Sequence, residues 1–208
     1  CSFNQLQILD VSNNTNLIDL NCAFNQITNL DLTNNTNLIY LGCSENQLSN
    51  INISQNNLLV DFSCSNNQIT SLNLSSCPNL VNLGFGGNQI LNLDLTSNTK
   101  LKELDCRGNL LTEIDVSMLD SLNFLYCHDN INLNKLDIRN GNNINFIDFS
   151  AGNHPDLYCI SVDDAAWSTA NWSIDAHTSF SNNCDAKTYV PDDNFEAYLE
   201  ANGMGDGI

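Results

Sequence analysis

A nine-residue pattern that returns every 21 residues constrains this chain more than any other feature. Leu101-Lys102-Glu103-Leu104-Asp105-Cys106-Arg107-Gly108-Asn109 reads L-x-x-L-x-C-x-x-N, and its leading leucine recurs at Leu17, Leu38, Leu59, Leu80 and Leu122. A fixed period of this length marks a stack of similar coils, each burying an apolar edge on its neighbours. Every copy continues as I/L-x-x-L/I-D/N-L/V/I-S/T: Ile27, Leu30, Asp31, Leu32 and Thr33 in one coil, Ile90, Leu93, Asp94, Leu95 and Thr96 in another. In the first half, Leu and Cys alternate with small or polar residues, as in a short strand with one buried face. Too few residues remain before the next strand for a full return helix. The expected fold is a solenoid, mostly β, with a parallel sheet on the concave face, short strands or extended turns on the convex face, and a C-terminal cap.

Three repeat columns have readings of their own. Asn25, Asn46, Asn67, Asn88, Asn109 and Asn130 end the strands, where their amides can bond backbone groups of adjacent coils that would otherwise be buried unpaired. Cys1, Cys22, Cys43, Cys64, Cys106 and Cys127 share a column in which Phe85 and Phe149 also stand. Interchange with Phe marks it as interior, and side-by-side Cβ vectors on parallel strands suit a disulfide poorly, so these are expected to be reduced core thiols. No C-x-x-C pair or convergent His accompanies them, so no metal site is expected. Cys77, in a turn before Pro78, has no assignment from sequence. Asp10, Asp31, Asp94, Asp115 and Asp137, with Asn52 and Asn73 between them, form the third column. A calcium ladder competes there with the simpler reading, in which each Asp caps its own turn.

Regularity weakens after Asn130, where one extra residue precedes Leu133 and calls for a bulge. A last full strand is expected at Ile144-x-x-Ile147-x-Phe149, with Phe146 and Asp148 facing outward, followed after a shortened connection by Leu157-x-x-Ile160-x-Val162. Beyond it stand Trp167, Trp172 and Phe180, the natural lid for an end coil whose apolar face is otherwise open. Cys159 and Cys184 are off-register and bracket that lid. A disulfide between them is expected, worth about 3 kcal/mol by the chain-entropy model, and would place the chain in an oxidising, extracytoplasmic setting. The division read from sequence is a solenoid over 1–184, including a cap over 157–184, then a linker and a cap helix opening a following repeat module over 185–208. In that last stretch, Asp193 and Glu196 form a capping-box-like pair and Gly203 ends the helix.

The formal net charge is −18, from 24 acidic and 6 basic residues. Nucleic-acid binding, which needs Lys and Arg to displace counterions, is disfavoured, as is docking on anionic lipid. No apolar run is long enough to span a membrane. The outward strand positions, read in pairs, run from Asp19 and Asn21 through Tyr40 and Gly42, Asp61 and Ser63, Asn82 and Gly84, Glu103 and Asp105 to Phe124 and Tyr126. Arg107, His128 and Ser150 flank them. Most of this face is small and polar, with aromatic residues gathered towards one end. Tyr and Arg are enriched where binding energy concentrates. The candidate binding residues are therefore Tyr40, Glu103, Asp105, Arg107, Phe124, Tyr126, His128, Phe146 and Asp148. The competing reading is that the rings merely pack on one another across strands. His128, His154 and His177 read as scattered polar residues, and neither a nucleophile nor a His–carboxylate grouping is placed together, so no enzyme, cofactor or catalytic residue is expected.

The unit L-x-x-L-x-C-x-x-N-x-L-x-x-L-D-L-x-x-N resembles the bacterial leucine-rich repeats of the IRREKO type; Leu17 to Asn37 matches nearly every position, and the likeness runs from Cys1 to about Asn153. The tail from Leu157 through Trp172 to Cys184 is similar to the C-terminal cap of such surface proteins, and Val190-Pro191-Asp192-Asp193-Asn194-Phe195-Glu196 looks like the N-terminal cap of another array. The resemblance implies tandem modules of a secreted or surface-displayed bacterial protein, often exported by the type IX route. It carries no catalytic residues and no transferable ligand. The function expected is recognition or adhesion, with a protein or glycan on a cell surface or in the extracellular matrix as partner. A stalk presenting other domains is the alternative.

Overall fold

The computed structural model describes residues 1–184; the expected linker and cap helix at 185–208 lie outside the described residues. Seven three-residue strands build the longer sheet: β1 (Asp19–Asn21), β2 (Tyr40–Gly42), β3 (Asp61–Ser63), β4 (Asn82–Gly84), β5 (Glu103–Asp105), β7 (Phe124–Tyr126) and β9 (Asp148–Ser150). All pair in parallel with unbroken register, so Leu20, Leu41, Phe62, Leu83, Leu104 and Leu125 stand in one buried row. The opposite side is extended chain and turns in the early coils. It becomes a second parallel sheet towards the C-terminus, built from β6 (Glu113–Asp115), β8 (Lys135–Asp137), β10 (Cys159–Ser161) and β11 (Ser179–Ser181). The expected architecture is therefore the observed one.

Between the sheets runs a continuous core, with one full set of apolar residues supplied by each coil. Cys22, Cys43, Cys64, Cys106 and Cys127 are buried and free, with Phe85 filling the break, while Cys1 ends the column at an exposed position. Burial pushes the Cys64 and Cys127 thiols up to about 12, which leaves them protonated and poor metal ligands. Cys77 belongs to a different column, at the place held by Asn35, Asn56 and Asn98 in neighbouring coils. Those amides donate to carbonyls of the preceding coil, and Cys77 Sγ does the same towards Ile53 O and Asn56 O at 3.8 and 3.6 Å.

The strand-ending asparagines form a ladder. Asn46 Nδ2 lies 3.1 Å from each of Cys43 O and Ser44 O in its own coil and Cys22 O in the preceding one, and its Oδ1 accepts the Ile27 N–H at 2.9 Å. Asn67, Asn88, Asn109 and Asn130 repeat this pattern. Each amide serves its own coil and the one before, not both neighbours. Asp10, Asp31, Asn52, Asn73, Asp94, Asp115 and Asp137 each accept the N–H two residues on, so this column caps turns.

Two expectations for the C-terminal end are corrected. Ile144 and Ile147 are 65% and 67% exposed and form no inward face of a strand. The strand lies further on, and Phe149 pairs with Leu125 instead of entering the cysteine column. A 3₁₀ turn at Asn143–Asn145 takes up the extra chain, anchored by Asn143 Nδ2 on Ile138 O at 2.6 Å. The shift brings Phe146 and Phe149 onto Trp172, with ring centroids 5.5 and 4.4 Å away. Burying these rings removes more apolar area from water than burying two isoleucines would. Phe146 consequently leaves the outer face of the sheet. Within the Leu157-x-x-Ile160-x-Val162 segment, Cys159–Ser161 forms β10 of the second sheet, where Ile160 pairs with Leu136.

In the last coil the helix α1 (Ala165–Asn171) occupies the place of a strand of the longer sheet, with Asp164 Oδ1 accepting the Trp167 N–H as its N-cap. Trp172 follows it and touches Phe146, Phe149, Trp167 and Phe180, which together cover the end of the core. Cys159 and Cys184 are joined by a disulfide with a Cα–Cα distance of 5.8 Å, tying the end of the cap to β10.

Candidate functional site

Residues on the outer face of the longer sheet stand in rows along the solenoid axis, because each strand contributes the same two outward positions. The first row is Asp19, Tyr40, Asp61, Asn82, Glu103, Phe124 and Asp148. The second is Asn21, Gly42, Ser63, Gly84, Asp105, Tyr126 and Ser150. The register shift of the last strand places Asp148 level with Phe124, so Phe124 has Glu103 on one side and Asp148 on the other.

The structure brings most of the candidate residues together on three adjacent strands and the corners that follow them. Tyr126 donates its hydroxyl to Asp148 Oδ2 at 3.2 Å. Desolvation, that hydrogen bond and the charges of Asp148, Glu103 and Asp105 push its pKa up, so the phenol stays neutral. Arg107 pairs with Asp105 at 3.2 Å and leans over Gly86, where a Cβ would come within 3.0 Å of Arg107 Cγ and of Asp105 Oδ1. His128 Nδ1 lies 3.0 Å from Ser150 Oγ, and its Nε2 is 3.8 Å from Asp129. Two candidates stand apart. Tyr40, 48% exposed on β2, is four strands from Phe124, roughly 19 Å at the usual strand spacing. Phe146 sits under the cap. The aromatic group is thus Phe124 and Tyr126 alone, free of the ring that would have packed against them. A groove of about 350 Å³ lined by Leu72, Leu74 and Leu93 opens on the other side of the solenoid.

Two features of the ends were not read from the sequence. Phe3 and Phe24 stack at 4.3 Å on the outside of the first coils, 73% and 46% exposed, and both have positive φ. The same corner holds Glu45, Asn66, Gly87, Gly108, Asp129 and Asn153, mostly residue types at ease in the left-handed region. Aligning that corner across coils would have singled out the two phenylalanines. At the other end the three histidines are gathered, not scattered. His154 is buried, with Nδ1 3.0 Å from Asn130 O and Nε2 without a partner among the described residues. His177 Nε2 lies 3.0 Å from His154 O, and Asp175 accepts the N–H groups of Asn153 and His154.

Burial holds His154 below the ordinary histidine pKa, with His128 acting in the same direction. The Asn130 carbonyl, Asp175 and Asp129 pull the other way. A histidine depressed in the folded state leaves stability intact above its unfolded pKa of about 6.5 and removes it progressively as pH falls below that value. The melting temperature should therefore drop between pH 7.5 and 5.0. A His154→Gln variant, which keeps a donor for Asn130 O, should show a smaller drop in the same range. Equal slopes for the two proteins would show that His154 does not carry the effect.

Among the described residues, no three or more His, Cys, Asp or Glu side chains converge as metal ligands would, and no helix is long and apolar enough to cross a membrane.

No protein-family model matches the chain, and no curated protein does. Solved structures do. The functional domain of InlJ from Listeria monocytogenes, which includes a cysteine ladder, aligns at 30% identity with a TM-score of 0.55 over 77% of this chain and 44% of that one. The internalin InlF from the same organism aligns at 28% identity and TM-score 0.56, over 63% of this chain and 45% of that one. A leucine-rich-repeat protein of Leptospira interrogans, at 19% identity and TM-score 0.55 over 73% of this chain and 51% of its own, shares the fold. The chain spans less than half the length of the two internalin chains. With the 21-residue period, the parallel sheet and the buried Asn and Cys columns on the page, this chain is a leucine-rich-repeat protein.

Proposed function

We propose that the chain is a non-enzymatic recognition or adhesion module that binds its partner through the outer face of the seven-stranded sheet, at the end marked by Phe124 and Tyr126. The observation that carries this reading is the pair of partly exposed rings side by side on one outward-facing strand, away from the ring cluster of the cap. Phe124 and Tyr126 project from β7 on the face opposite the buried Leu125, with Glu103, Asp105, Arg107, His128 and Asp148 around them. Ring faces flanked by charged and hydrogen-bonding groups provide apolar contact area and orientation at one place. The open sheet lacks the enclosed constellation of nucleophile, base and oxyanion donors that catalysis requires. The disulfide suits an extracellular or cell-surface setting, and the partner is a protein or glycan met there.

A stalk is the second reading, favoured by Gly84, which leaves the central strand β4 without a side chain in the second outward row. Binding separates the two. The 208-residue chain should bind saturably to a member of a panel of surface proteins and glycans. A Phe124→Ala/Tyr126→Ala variant with an unchanged melting temperature should weaken that binding at least tenfold. Absence of binding by the parent chain would favour the stalk, and full binding by the variant would move the site elsewhere.

A further inference from the structure

The first outward row of the long sheet has a periodicity of its own, finer than the presence of rings at one end. Along the solenoid it runs Asp19, Tyr40, Asp61, Asn82, Glu103, Phe124, Asp148, so a carboxylate stands on every second strand and a ring or an amide on each strand between. Adjacent strands lie about 4.8 Å apart, so the carboxylates repeat at roughly 9.6 Å. A polyproline II segment rises about 3.1 Å per residue with three residues per turn, which returns the same face every ~9.3 Å. The two repeats agree closely enough for several successive turns to stay in step.

Charge fixes the sign of what would be bound. Asp19, Asp61, Glu103, Asp105 and Asp148 share the face with Arg107 and His128, and Arg107 is already paired with Asp105. Among the described residues, Asp61 accepts only the neutral amide of Asn82, at 3.0 Å, and Asp148 only the Tyr126 hydroxyl. Around Phe124 the carboxylates of Glu103 and Asp148 lie on both neighbouring strands, an arrangement in which a cation is attracted by ring face and acid together. A neutral glycan would leave these charges unanswered, and an acidic one would be repelled by them and by the net charge of −18.

We propose that this face binds a cationic polypeptide segment in the polyproline II conformation, with Arg or Lys at every third position seated on Asp61, Glu103 and Asp148 and an intervening turn lying on Phe124. The proposal rests on the recognition reading above and narrows its partner from a protein or glycan to a basic, extended peptide. Arginine matches best, because its planar guanidinium can pair with a carboxylate and stack on a ring at once. Preformed polyproline II geometry keeps the entropy of ordering low.

The test uses the 208-residue chain and three synthetic peptides of about five triplets each. One is (Pro-Pro-Arg)n, the second has the same composition with the arginines in one block, and the third is (Pro-Pro-Glu)n. The first should bind saturably, more weakly as salt is raised towards 0.15 M, where the screening length falls to about 8 Å. It should bind at least tenfold more tightly than the block peptide, and the acidic peptide should not bind. An Asp61→Asn/Glu103→Gln/Asp148→Asn variant, isosteric at exposed or half-exposed positions, should lose at least tenfold in affinity with its melting temperature unchanged. Equal affinity for the spaced and block peptides would overturn the register argument, and unchanged binding by the triple variant would overturn the site. If the chain instead binds a neutral glycan or protein in a way that Phe124→Ala/Tyr126→Ala abolishes, while ignoring the arginine peptides, the ligand class fails and the recognition reading stands. Binding of nothing in either panel would overturn both.

Discussion

An Asn109→Ala variant should lose about 4 kcal/mol of stability, more than any surface substitution on this chain. The buried amide gives Nδ2 to Phe85 O, Cys106 O and Arg107 O and takes the Ile90 N–H on Oδ1, so one side chain joins two coils at four points. Alanine leaves the Ile90 N–H unpaired in a site closed to water, at roughly 1–3 kcal/mol, and takes one donor from each carbonyl, at about 1 kcal/mol per hydrogen bond. Each carbonyl retains another donor: Phe85 O keeps Asn88 Nδ2, Cys106 O keeps Asn130 Nδ2 and Arg107 O keeps the Gly87 N–H. Some relaxation follows, which keeps the total below the sum. For a chain of this size 1 kcal/mol moves the melting temperature by roughly 2–4 °C, so a drop of about 10 °C or more is expected by calorimetry. Asn98→Cys is the internal control. Asn98 Oδ1 has no partner among the described residues, and the chain already carries Cys77 at the equivalent place one coil earlier, donating to the same two kinds of carbonyl. That change should cost about 1 kcal/mol, the size of an ordinary hydrogen bond exchanged for a weaker one. Comparable losses from the two variants would mean that the strand-ending ladder is not what holds adjacent coils together.

The same contrast shows why the regular coils could be read from sequence and the end could not. Between Leu17 and Asn130 each residue answers to a column, and the column is repeated often enough for its chemistry to be inferred from its members. Cysteine exchanging with Phe85 means interior, and unbroken asparagine means paired backbone. Cys77 escaped because its column holds Asn35, Asn56 and Asn98, and a thiol replacing a buried amide donor has no obvious sequence signature. After Asn130 the repeat gives way to contacts between residues far apart in the chain. Nothing local says that Phe146 will prefer Trp172, 26 positions on, to a place beside Phe124 and Tyr126. Once it does, the strand slides along the pattern and Asp148 comes level with Phe124. The histidines were missed for the same reason: His128, His154 and His177 are separated in sequence by roughly one coil each, which is the spacing that stacks them. On the outer face, Phe146 is gone and Asp148 stands in a different register, and that change of register is what completes the alternating acid row.

Replacing Cys159 and Cys184 by serine should release the cap while leaving the regular coils folded. The disulfide closes a loop of 25 residues, and the chain-entropy relation assigns such a loop about 3.5 kcal/mol. Its stabilisation falls on the least regular part of the molecule. The cap is held otherwise by the Trp172 ring cluster, by Asp175 on the Asn153 and His154 N–H groups, and by two parallel strand pairings of three residues or fewer. Solenoids unfold from such ends, because each unit contacts only its neighbours. Both tryptophans of the chain, Trp167 and Trp172, lie in the cap, so their fluorescence reports on the cap alone, whereas far-ultraviolet circular dichroism reports mainly on the coils. In the parent chain the two signals should melt together. In the Cys159→Ser/Cys184→Ser variant the fluorescence transition should move down by about 10 °C, by the usual size scaling, and separate from the dichroism transition. Reductant should do the same to the parent chain and nothing to the variant, since the other described cysteines are already free thiols. Once the lid opens, Phe146 and Phe149 are uncovered and the adjoining coil loses its apolar partner. The dichroism curve should then broaden from that end instead of shifting as a whole. A variant whose two signals still coincide would show that the ring cluster alone holds the cap, and that the bridge adds nothing the core does not already supply.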